Sequence, residues 1–439
     1  MYLNRKIDHY LIEWKAETVR KPLLLRGARQ VGKTSAIKNF SSNFEYFLSI
    51  NFDERRDYVK VFETTTGIDD VCEQLSLLTG TPIIAGKTLV FFDEIQVSVQ
   101  ALQMLRYFYE KMPELHVIAA GSLLEFALEE IPAFGAGRVR SVFMYPFSFE
   151  EFLVSIGESA LIPKMLHADY HHPLQIVIHQ KLSGLYKKFL LIGGMPEAVR
   201  AYVKGDSILN IQRVLNDLII ALEADFAKYK KRFPGGRLTE VFRAIAYQTG
   251  QKFTYSYNKG SLSNVQIKEA IRLLCMAGIV YPVIHTAANG IPIGAEINPK
   301  KIKYLLYDTG IFQRLLGLEL GDMMIQDEFT AINKGNIVEL SVGLELIKNT
   351  DPFEPANLYY WHREAQNSQA EVDYVIQSGN EIYPIEVKSG TKGSMQSMYL
   401  FMKEKKSMLG YRLSFENFSS IDSVKIMPVY VAGKLSRRG

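Results

Sequence analysis

Residues 23–40 read LLLRGARQVGKTSAIKNF, and this stretch decides the fold class of the chain. A short apolar run leads into GARQVGKT, which satisfies the pattern G-x-x-x-x-G-K-[ST], and Ile37 and Phe40 continue at helical spacing. A strand, a glycine-flanked loop and a helix in this order form the local structure that binds polyphosphate. The sequence therefore predicts a nucleotide-binding α/β domain built around this loop.

Each residue type in the loop has a chemical role. Gly27 and Gly32 allow backbone N–H groups to approach phosphate oxygens in conformations that a Cβ would obstruct. Lys33 is expected to reach the β- and γ-phosphates and Thr34 to bind Mg²⁺, with the dipole of the following helix behind the phosphates. The alternative is an ordinary glycine-containing turn before a helix. The predicted ATP-binding residues are Gly27, Ala28, Arg29, Gln30, Val31, Gly32, Lys33, Thr34, Ser35 and Asp93.

Asp93 belongs to a second motif, in which an apolar strand ends in two acids. Residues 88–92 (TLVFF) run directly into Asp93 and Glu94. A buried parallel strand reads as an unbroken apolar run, and open α/β sheets bind ligands at the carboxyl ends of their strands. Asp93 would hold Mg²⁺, and Glu94 would orient and deprotonate the attacking water. Taken alone, an acidic pair after a strand is more often a solvated turn, but the phosphate-binding loop upstream favours the catalytic interpretation.

Two further residues are candidates for phosphoryl transfer. Ser122 follows the strand-like run 116–120 (HVIAA), where a polar side chain could touch the γ-phosphate, although it could equally cap the next helix. Arg138 could neutralise charge in the transition state, from the same chain or from a neighbouring copy in a homo-oligomer. An exposed loop arginine is the commoner explanation of a single Arg. Both alternatives stay open.

Composition limits the class of protein. The chain has 439 residues, enough for roughly three domains of about 100 to 200 residues each. Hydrophobic residues make up 47% and charged residues 22%, which predicts a packed globular protein. Cys72 and Cys275 suggest a reducing compartment and no disulfide framework. We expect a cytoplasmic protein without a membrane partner, because the first residues are too charged for a signal peptide and no apolar run approaches about 18 residues.

Several motifs occur in a fixed order: RGARQVGKT, INFDE, VFFDEIQ, LRYFYE, VIAAGSLLE, GRV and YPFSFEEFL. This order resembles the prokaryotic AAA-type ATPases of the archaeal-ATPase and STAND-like grouping, whose C-terminal domain resembles PD-(D/E)XK nucleases. The resemblance covers nearly the whole chain. It implies a lid over the nucleotide, with a hinge at the Gly-rich run 190–199 (LLIGGMPEAV). The predicted domains are an AAA-type P-loop ATPase core with a parallel sheet (1–155), a helical lid (156–230), a winged helix (231–325) and an α/β PD-(D/E)XK nuclease-like domain (326–439).

The third segment, 231–325, carries the excess of positive charge, with 12 Lys and Arg against 6 Asp and Glu. Two helical patterns followed by two strand-like runs predict a helix-turn-helix with a wing. The second helix is predicted to bury Val265, Ala270, Ile271 and Leu274. Its outer face would carry Lys268 and Arg272, supplemented at the turn and wing by Lys252, Lys259, Lys300, Lys301 and Lys303. Such residues would contact DNA phosphates in a salt-dependent way with little sequence choice. The alternative is a protein-contact module with a solvated basic face.

The last segment has acidic residues in the order E…D…E-x-K. Glu339 lies in a helical pattern, Asp373 in a strand pattern, and Glu386 and Lys388 share one face of the next strand because they are two residues apart. Adjacent carboxylates repel unless a divalent cation lies between them, and Lys388 could then position a hydroxide for attack on a phosphodiester. This order resembles the PD-(D/E)XK nucleases, although Val372 stands in place of the proline. E-x-K alone is frequent on surface strands, and the same scaffold can bind without cutting.

Two functions fit the sequence. The first is an ATP-gated protein that handles nucleic acid, in which MgATP controls a metal-dependent nuclease-like domain. The second is a STAND-like regulatory switch, in which the ATP state controls protein partners and the C-terminal domain binds them without cleavage. A chaperone or translocase would require a closed ring, which the sequence does not show.

Overall fold

The structure, a computed structural model, describes residues 1–65, 67–131, 137–229, 233–255, 262–317, 334–363, 370–390 and 394–437. The chain divides into two compact units. The first unit contains Met1–Tyr145, Met276–Gly278 and Pro352–Pro355, and the second contains Pro146–Cys275, Ile279–Asp351 and Ala356–Gly439. None of the helices in the described ranges has the length and apolarity needed to span a bilayer.

The first unit is built on a five-stranded parallel sheet with the order β2-β3-β4-β1-β5. The predicted apolar runs form its central strands, and their side chains are buried because helices cover the sheet. The strands are β1 Leu23–Arg26, β2 Tyr46–Asn51, β3 Thr88–Asp93, β4 His116–Ala120 and β5 Arg140–Phe143. The helices are α1 Lys6–Ala16, α2 Lys33–Phe40, α3 Val59–Thr64, α4 Ile68–Thr79, α5 Val99–Lys111 and α6 Leu124–Glu129.

The second unit combines a helical part with an eight-stranded mixed sheet. Its helices are α7 Phe149–Ser155, α8 Leu161–His167, α9 Ile176–Ile192, α10 Pro196–Val203, α11 Ile208–Asp225, α12 Gly235–Tyr247, α13 Asn264–Met276, α14 Thr309–Leu315, α15 Lys334–Lys348 and α16 Gln396–Lys405, with a 3₁₀ segment at Val429–Ser436. Its strands are β6 Val280–Thr286, β7 Ile297–Leu306, β8 Leu358–His362, β9 Glu371–Ser378, β10 Glu381–Val387, β11 Gly410–Ser414, β12 Ser419–Ile421 and β13 Val424–Pro428.

One sheet connects the two segments predicted as a winged helix and a nuclease-like domain. Strands β6 and β7 form an antiparallel hairpin at its edge, and β6 pairs in parallel with β8. The sheet order is β12-β13-β11-β10-β9-β8-β6-β7. Beyond the hairpin, the helix and strand order α15, β8, β9, β10, α16, β11 contains an antiparallel meander followed by a parallel strand.

Helix α13 is shifted in register from the sequence prediction at its first turn. Ala270, Ile271 and Leu274 are buried as predicted, but Val265 is 77% exposed and Ile267 is buried in its place. Ser263 explains where the helix begins, because its Oγ accepts the Gln266 N–H at 3.3 Å while the Gln266 side chain accepts the Ser263 N–H. The prediction that Val265 packs inward was wrong, because this residue belongs to the unpacked first turn.

Candidate functional site

The phosphate-binding loop between β1 and α2 has the backbone that its glycines predict. Gly27 and Gly32 have φ angles of +144° and +99°, and Gln30 also has a positive φ of 64°. A Cβ on Gly27 would lie 2.1 Å from the Met144 carbonyl oxygen, so only glycine fits there. Within the loop Ala28 and Val31 are buried, Arg29 is half-buried, and Gln30 and the following Ser35 are exposed.

Lys33 is the first residue of α2, and its side chain, which points back into the loop, is 8% exposed. Its Nζ donates hydrogen bonds to the carbonyl oxygens of Gly27 at 2.7 Å and Ala28 at 2.8 Å. Burial lowers the pKa of Lys33 to about 8, and the nearby carboxylates of Glu94 and Asp93 act in the opposite direction. An anionic phosphate in the loop would give this ammonium group the charged partner that the loop carbonyls do not supply.

Thr34 and Asp93 join the loop to the end of β3. The Thr34 Oγ1 donates to Asp93 Oδ2 at 2.9 Å, and the Glu94 backbone N–H donates to Asp93 Oδ1 at 3.1 Å. Burial raises the pKa of Asp93, although its hydrogen bond from Thr34 opposes this shift. A hydroxyl and a carboxylate at adjacent ends of α2 and β3 are oxygen ligands of the kind that Mg²⁺ takes beside phosphate groups. The residues present therefore fit the magnesium role predicted for them.

Glu94 is held in place by two neighbouring side chains. It occupies the left-handed region with a φ of 50°, and its Oε2 accepts from Gln96 Nε2 at 2.5 Å and from Ser122 Oγ at 3.2 Å. A Cβ on Gly121 would lie 2.0 Å from Gln96 Oε1, so the glycine leaves room for that amide. Ser122 does not cap α6, whose N-cap is Leu123 without a side-chain bond. The structure thus connects Ser122 to the predicted catalytic base.

Arg138 forms an ion pair with Glu110, near the end of α5. The two side chains are 43% and 38% exposed. This places Arg138 in a surface contact, and its role in phosphoryl transfer stays a prediction.

Two arginines to which the sequence analysis assigns no role lie beside the loop. Arg5 is 8% exposed and donates from Nη1 to the Val31 carbonyl at 2.9 Å and from Nη2 to the Tyr145 carbonyl at 2.7 Å. Arg26, directly before the loop, donates from Nε to Glu125 Oε1 at 2.6 Å. The motif RGARQVGKT includes Arg26 without giving its side chain a role, and Arg5 carries no periodic signal that would separate it from an ordinary surface residue.

Three features show that the first unit has a P-loop NTPase fold. They are a parallel sheet in which β4 lies between β3 and β1, a glycine-flanked lysine after β1, and an acidic pair after β3. Residues 19–153 match the family model described as the AAA domain. This part of the chain is therefore an AAA-type P-loop ATPase domain. Residues 183–322 and 334–429 match two domains of unknown function, DUF8612 and DUF4143.

Two solved structures similar to this chain have low sequence identity. A Walker-type ATPase of Pyrococcus abyssi is 18% identical with a TM-score of 0.46, covering 72% of this chain and 96% of its own. The ORC1 protein of Aeropyrum pernix, in complex with DNA, is 14% identical with a TM-score of 0.25, covering 72% and 93%. No curated protein is similar enough to this chain to count as a match.

The basic residues predicted to contact nucleic acid have different environments. Lys268 is exposed on α13, with its Nζ 5.7 Å from the centre of the Tyr255 ring. Arg272 is exposed and forms an ion pair with Glu269 at 2.8 Å. Lys252 and Lys300 are exposed and Lys301 is half-buried, while Lys259 lies outside the described residues.

Lys303 contradicts the prediction made for it. It is 1% exposed on β7, and its ammonium group points into the second unit, so it cannot contact a phosphate at the surface. The prediction treated Lys300, Lys301 and Lys303 as one basic wing, but of these three only Lys303 is buried in the sheet. Its partners are the acidic residues of the C-terminal segment.

The predicted acidic residues of that segment converge around Lys303. Its Nζ lies 3.2 Å from Glu339 Oε1 and 2.5 Å from Glu371 Oε1. At the end of β10, the Nζ of Lys388, the residue after the strand, donates to Glu386 Oε1 at 2.5 Å, and the Val387 N–H donates to Asp373 Oδ2 at 2.7 Å. We call these six side chains the acidic cluster: Lys303, Glu339, Glu371, Asp373, Glu386 and Lys388.

Burial controls the ionisation of the acidic cluster. It raises the pKa of Glu339 to about 8 and that of Glu386 to about 7, and it raises the pKa of Asp373 as well. Throughout the described parts of the chain, no group of three or more His, Cys, Asp or Glu side chains has the arrangement of a metal site. Metal binding by Glu339, Asp373 and Glu386 therefore stays a prediction.

Proposed function

We propose that the protein binds MgATP in the loop of its first unit and hydrolyses it, with Glu94 as the general base. The observation that carries this proposal is the 2.9 Å hydrogen bond from Thr34 to Asp93, which supports a shared magnesium position at the phosphate loop. Lys33 would bind the β- and γ-phosphates. Mg²⁺, when bound, neutralises charge on the phosphate oxygens.

Glu94 is suited to the role of base because Ser122 and Gln96 fix its carboxylate. A general base must lie within hydrogen-bond reach of the water that it deprotonates, and a fixed carboxylate keeps that distance constant. We assign Gln96 as a positioning residue, because its amide donates to the base and packs against the glycine turn after β4.

The test of hydrolysis is Glu94→Gln. We expect the turnover number to fall at least about 100-fold while ATP affinity stays within about twofold of wild type, because only proton abstraction is removed. The matched control is Glu54→Gln, an exposed carboxylate of the same unit, which should change neither quantity. Wild-type turnover in Glu94→Gln would assign the base to another residue.

We further propose that the second unit binds DNA through the exposed face that carries Lys268 and Arg272. The support is the local charge excess together with the exposure of both side chains. Side chains of this kind bind phosphate, so affinity should depend strongly on salt and weakly on sequence.

The test of DNA binding is the double variant Lys268→Gln with Arg272→Gln, compared with Lys204→Gln at an exposed position elsewhere in the unit. Fluorescence anisotropy of a labelled duplex should show weaker binding for the double variant. The slope of log K against log salt should become shallower by about 0.9 for each phosphate that the variant no longer neutralises. An unchanged slope would remove these residues from the interface.

The second candidate is a regulatory switch whose C-terminal segment binds protein partners without cleavage. The specific observation in its favour is Lys303, which fills the centre of the acidic cluster. If wild-type protein binds ATP but shows no salt-dependent DNA binding at all, the switch replaces the first proposal.

A further inference from the structure

The acidic cluster contains a cation that belongs to the protein itself. Lys303 comes from β7, on the edge hairpin, and reaches Glu339 of α15 and Glu371 of β9. The centre of the Tyr360 ring lies 5.1 Å from its Nζ. The Nζ of Lys303 lies 3.2 Å from Glu339 Oε1 and 2.5 Å from Glu371 Oε1, and the side chain is 1% exposed. These contacts give the buried ammonium group two carboxyl partners.

The carboxylates do not fit the metal ion that the nuclease resemblance implies. Such an ion would need oxygens of Glu339, Asp373 and Glu386 to converge on one point. Glu339 Oε1 is bonded to Lys303, Asp373 Oδ2 accepts the Val387 N–H, and Glu386 Oε1 accepts from Lys388. Each of the three carboxylates thus already has one oxygen engaged by a donor of the protein.

We propose that Lys303 is the resident cation of the acidic cluster, in the position beside Glu339 that a divalent metal ion would take in a PD-(D/E)XK nuclease. The ammonium group bridges the carboxyl groups of Glu339 and Glu371 from within the sheet, so the second unit keeps its acidic centre folded without a metal ion. This inference is independent of ATP hydrolysis and of DNA binding.

The packing around Glu339 fixes this arrangement. A Cβ on Gly250 would lie 2.9 Å from Glu339 Oε2, so this glycine leaves room for the carboxyl group. Removing one partner of a buried ion pair leaves an uncompensated charge, which strongly destabilises the fold. Within the described residues, the cluster oxygen that is buried without a hydrogen-bond partner is Glu386 Oε2. This oxygen is a candidate ligand if a metal ion does bind in the cluster.

The first experiment measures Mn²⁺ binding to nucleotide-free, full-length protein by the loss of the free Mn²⁺ signal in electron paramagnetic resonance. Wild type is compared with Glu339→Gln and Glu386→Gln, and Asp93→Asn identifies Mn²⁺ held at the phosphate loop. We expect no bound Mn²⁺ that depends on Glu339 or Glu386. The proposal would be overturned if wild type binds one Mn²⁺ per chain and either Glu339→Gln or Glu386→Gln loses this Mn²⁺.

The second experiment compares the thermal unfolding midpoints of wild type, Lys303→Met and Lys301→Met, a half-buried lysine on the same strand. In EDTA we expect Lys303→Met to unfold several degrees earlier, and MnCl₂ to restore part of the loss in this variant alone. An unfolding midpoint of Lys303→Met in EDTA that equals the wild-type midpoint would overturn the proposal. If Lys303→Met does not fold, Lys303→Arg is used instead, because it keeps a cation and should fold without metal. The Mn²⁺ measurement on wild type then still tests whether the acidic cluster binds a metal ion.

Discussion

Lys33 shows how the protein environment changes the chemistry that a motif predicts. The motif identifies a lysine that reaches phosphate, but burial beneath the loop lowers its pKa to about 8 in the free protein. Between pH 8 and 10.5 the unfolded chain therefore binds more protons at this residue than the folded chain does. This group makes the free energy of unfolding rise with pH in that window.

ATP affinity should change with pH in the opposite direction because of the same residue: it should fall as the pH rises. Phosphate oxygens favour the charged lysine, so binding above about pH 8 requires proton uptake. Below about pH 7 we expect Lys33 to have no effect on how the ATP affinity varies with pH. Above about pH 8 the affinity should weaken, and the fall should approach about tenfold for each pH unit. Dissociation constants of a fluorescent ATP analogue at pH 7, 8 and 9 measure this. Lys33→Arg keeps its charge and should lack the dependence, whereas a flat wild-type profile to pH 9 would contradict the assigned shift.

The residues of the ATP site could be predicted from sequence where a local pattern fixes their position. Lys33, Thr34, Asp93 and Glu94 lie at ends of a strand or helix that the apolar runs identify, and the structure brings them together. Gln96 and Arg5 could not be predicted, because each acts through a contact that no spacing encodes.

At the scale of elements, continuous apolar runs predicted β3 and β4 at nearly their observed bounds, whereas β5 was missed. Strand β5 lies at the edge of the sheet beside β1, and only Val142 among its residues is buried. Arg140 and Ser141 interrupt the apolar pattern of β5, so no continuous apolar run identifies this strand. Helix α13 was predicted correctly except for its first turn, where Val265 is exposed to solvent.

The glycine pair after α9 contacts an aspartate that is distant in sequence. Asp308 is fully buried, and it accepts the Gly194 N–H at 2.6 Å and the Ile311 N–H at 3.0 Å, which also caps α14. A Cβ on Gly193 would lie 2.3 Å from Asp308 Oδ1. The resemblance implied a hinge at these glycines. In the structure, the buried Asp308 carboxyl group accepts a hydrogen bond from Gly194 and lies close to Gly193.

Asp308→Ala should therefore cost more than an ordinary helix cap. We expect a loss of about 2 to 4 kcal/mol in the free energy of unfolding, because the cap and the partner of a buried N–H are both removed. Ser207→Ala removes only the cap of α11 and should cost about 1 kcal/mol. Urea unfolding of both variants measures the difference, and equal losses would show that the Gly194 contact contributes nothing.

At the scale of the whole molecule, the sequence predicted the helices and strands of the second unit better than it predicted how they assemble. The hairpin β6–β7 was expected to be a DNA-binding wing, but it is the edge of the sheet that carries Asp373 and Glu386. Pairing between β6 and β8 joins residues far apart in sequence, which periodicity cannot reveal. In this sheet Lys303 on β7 is 1% exposed and contacts Glu339 and Glu371, so a residue assigned to the surface belongs to the acidic cluster.

Lys33, Thr34, Asp93 and Glu94 are proposed to form one site for MgATP. This is tested by measuring ATP binding and single-turnover hydrolysis for wild type and Lys33→Ala, with Lys38→Ala as the control at an exposed position of α2. We predict that Lys33→Ala loses measurable binding and turnover, while Lys38→Ala retains both. ATP binding and turnover at the wild-type level in Lys33→Ala would show that these four residues do not form the site for MgATP.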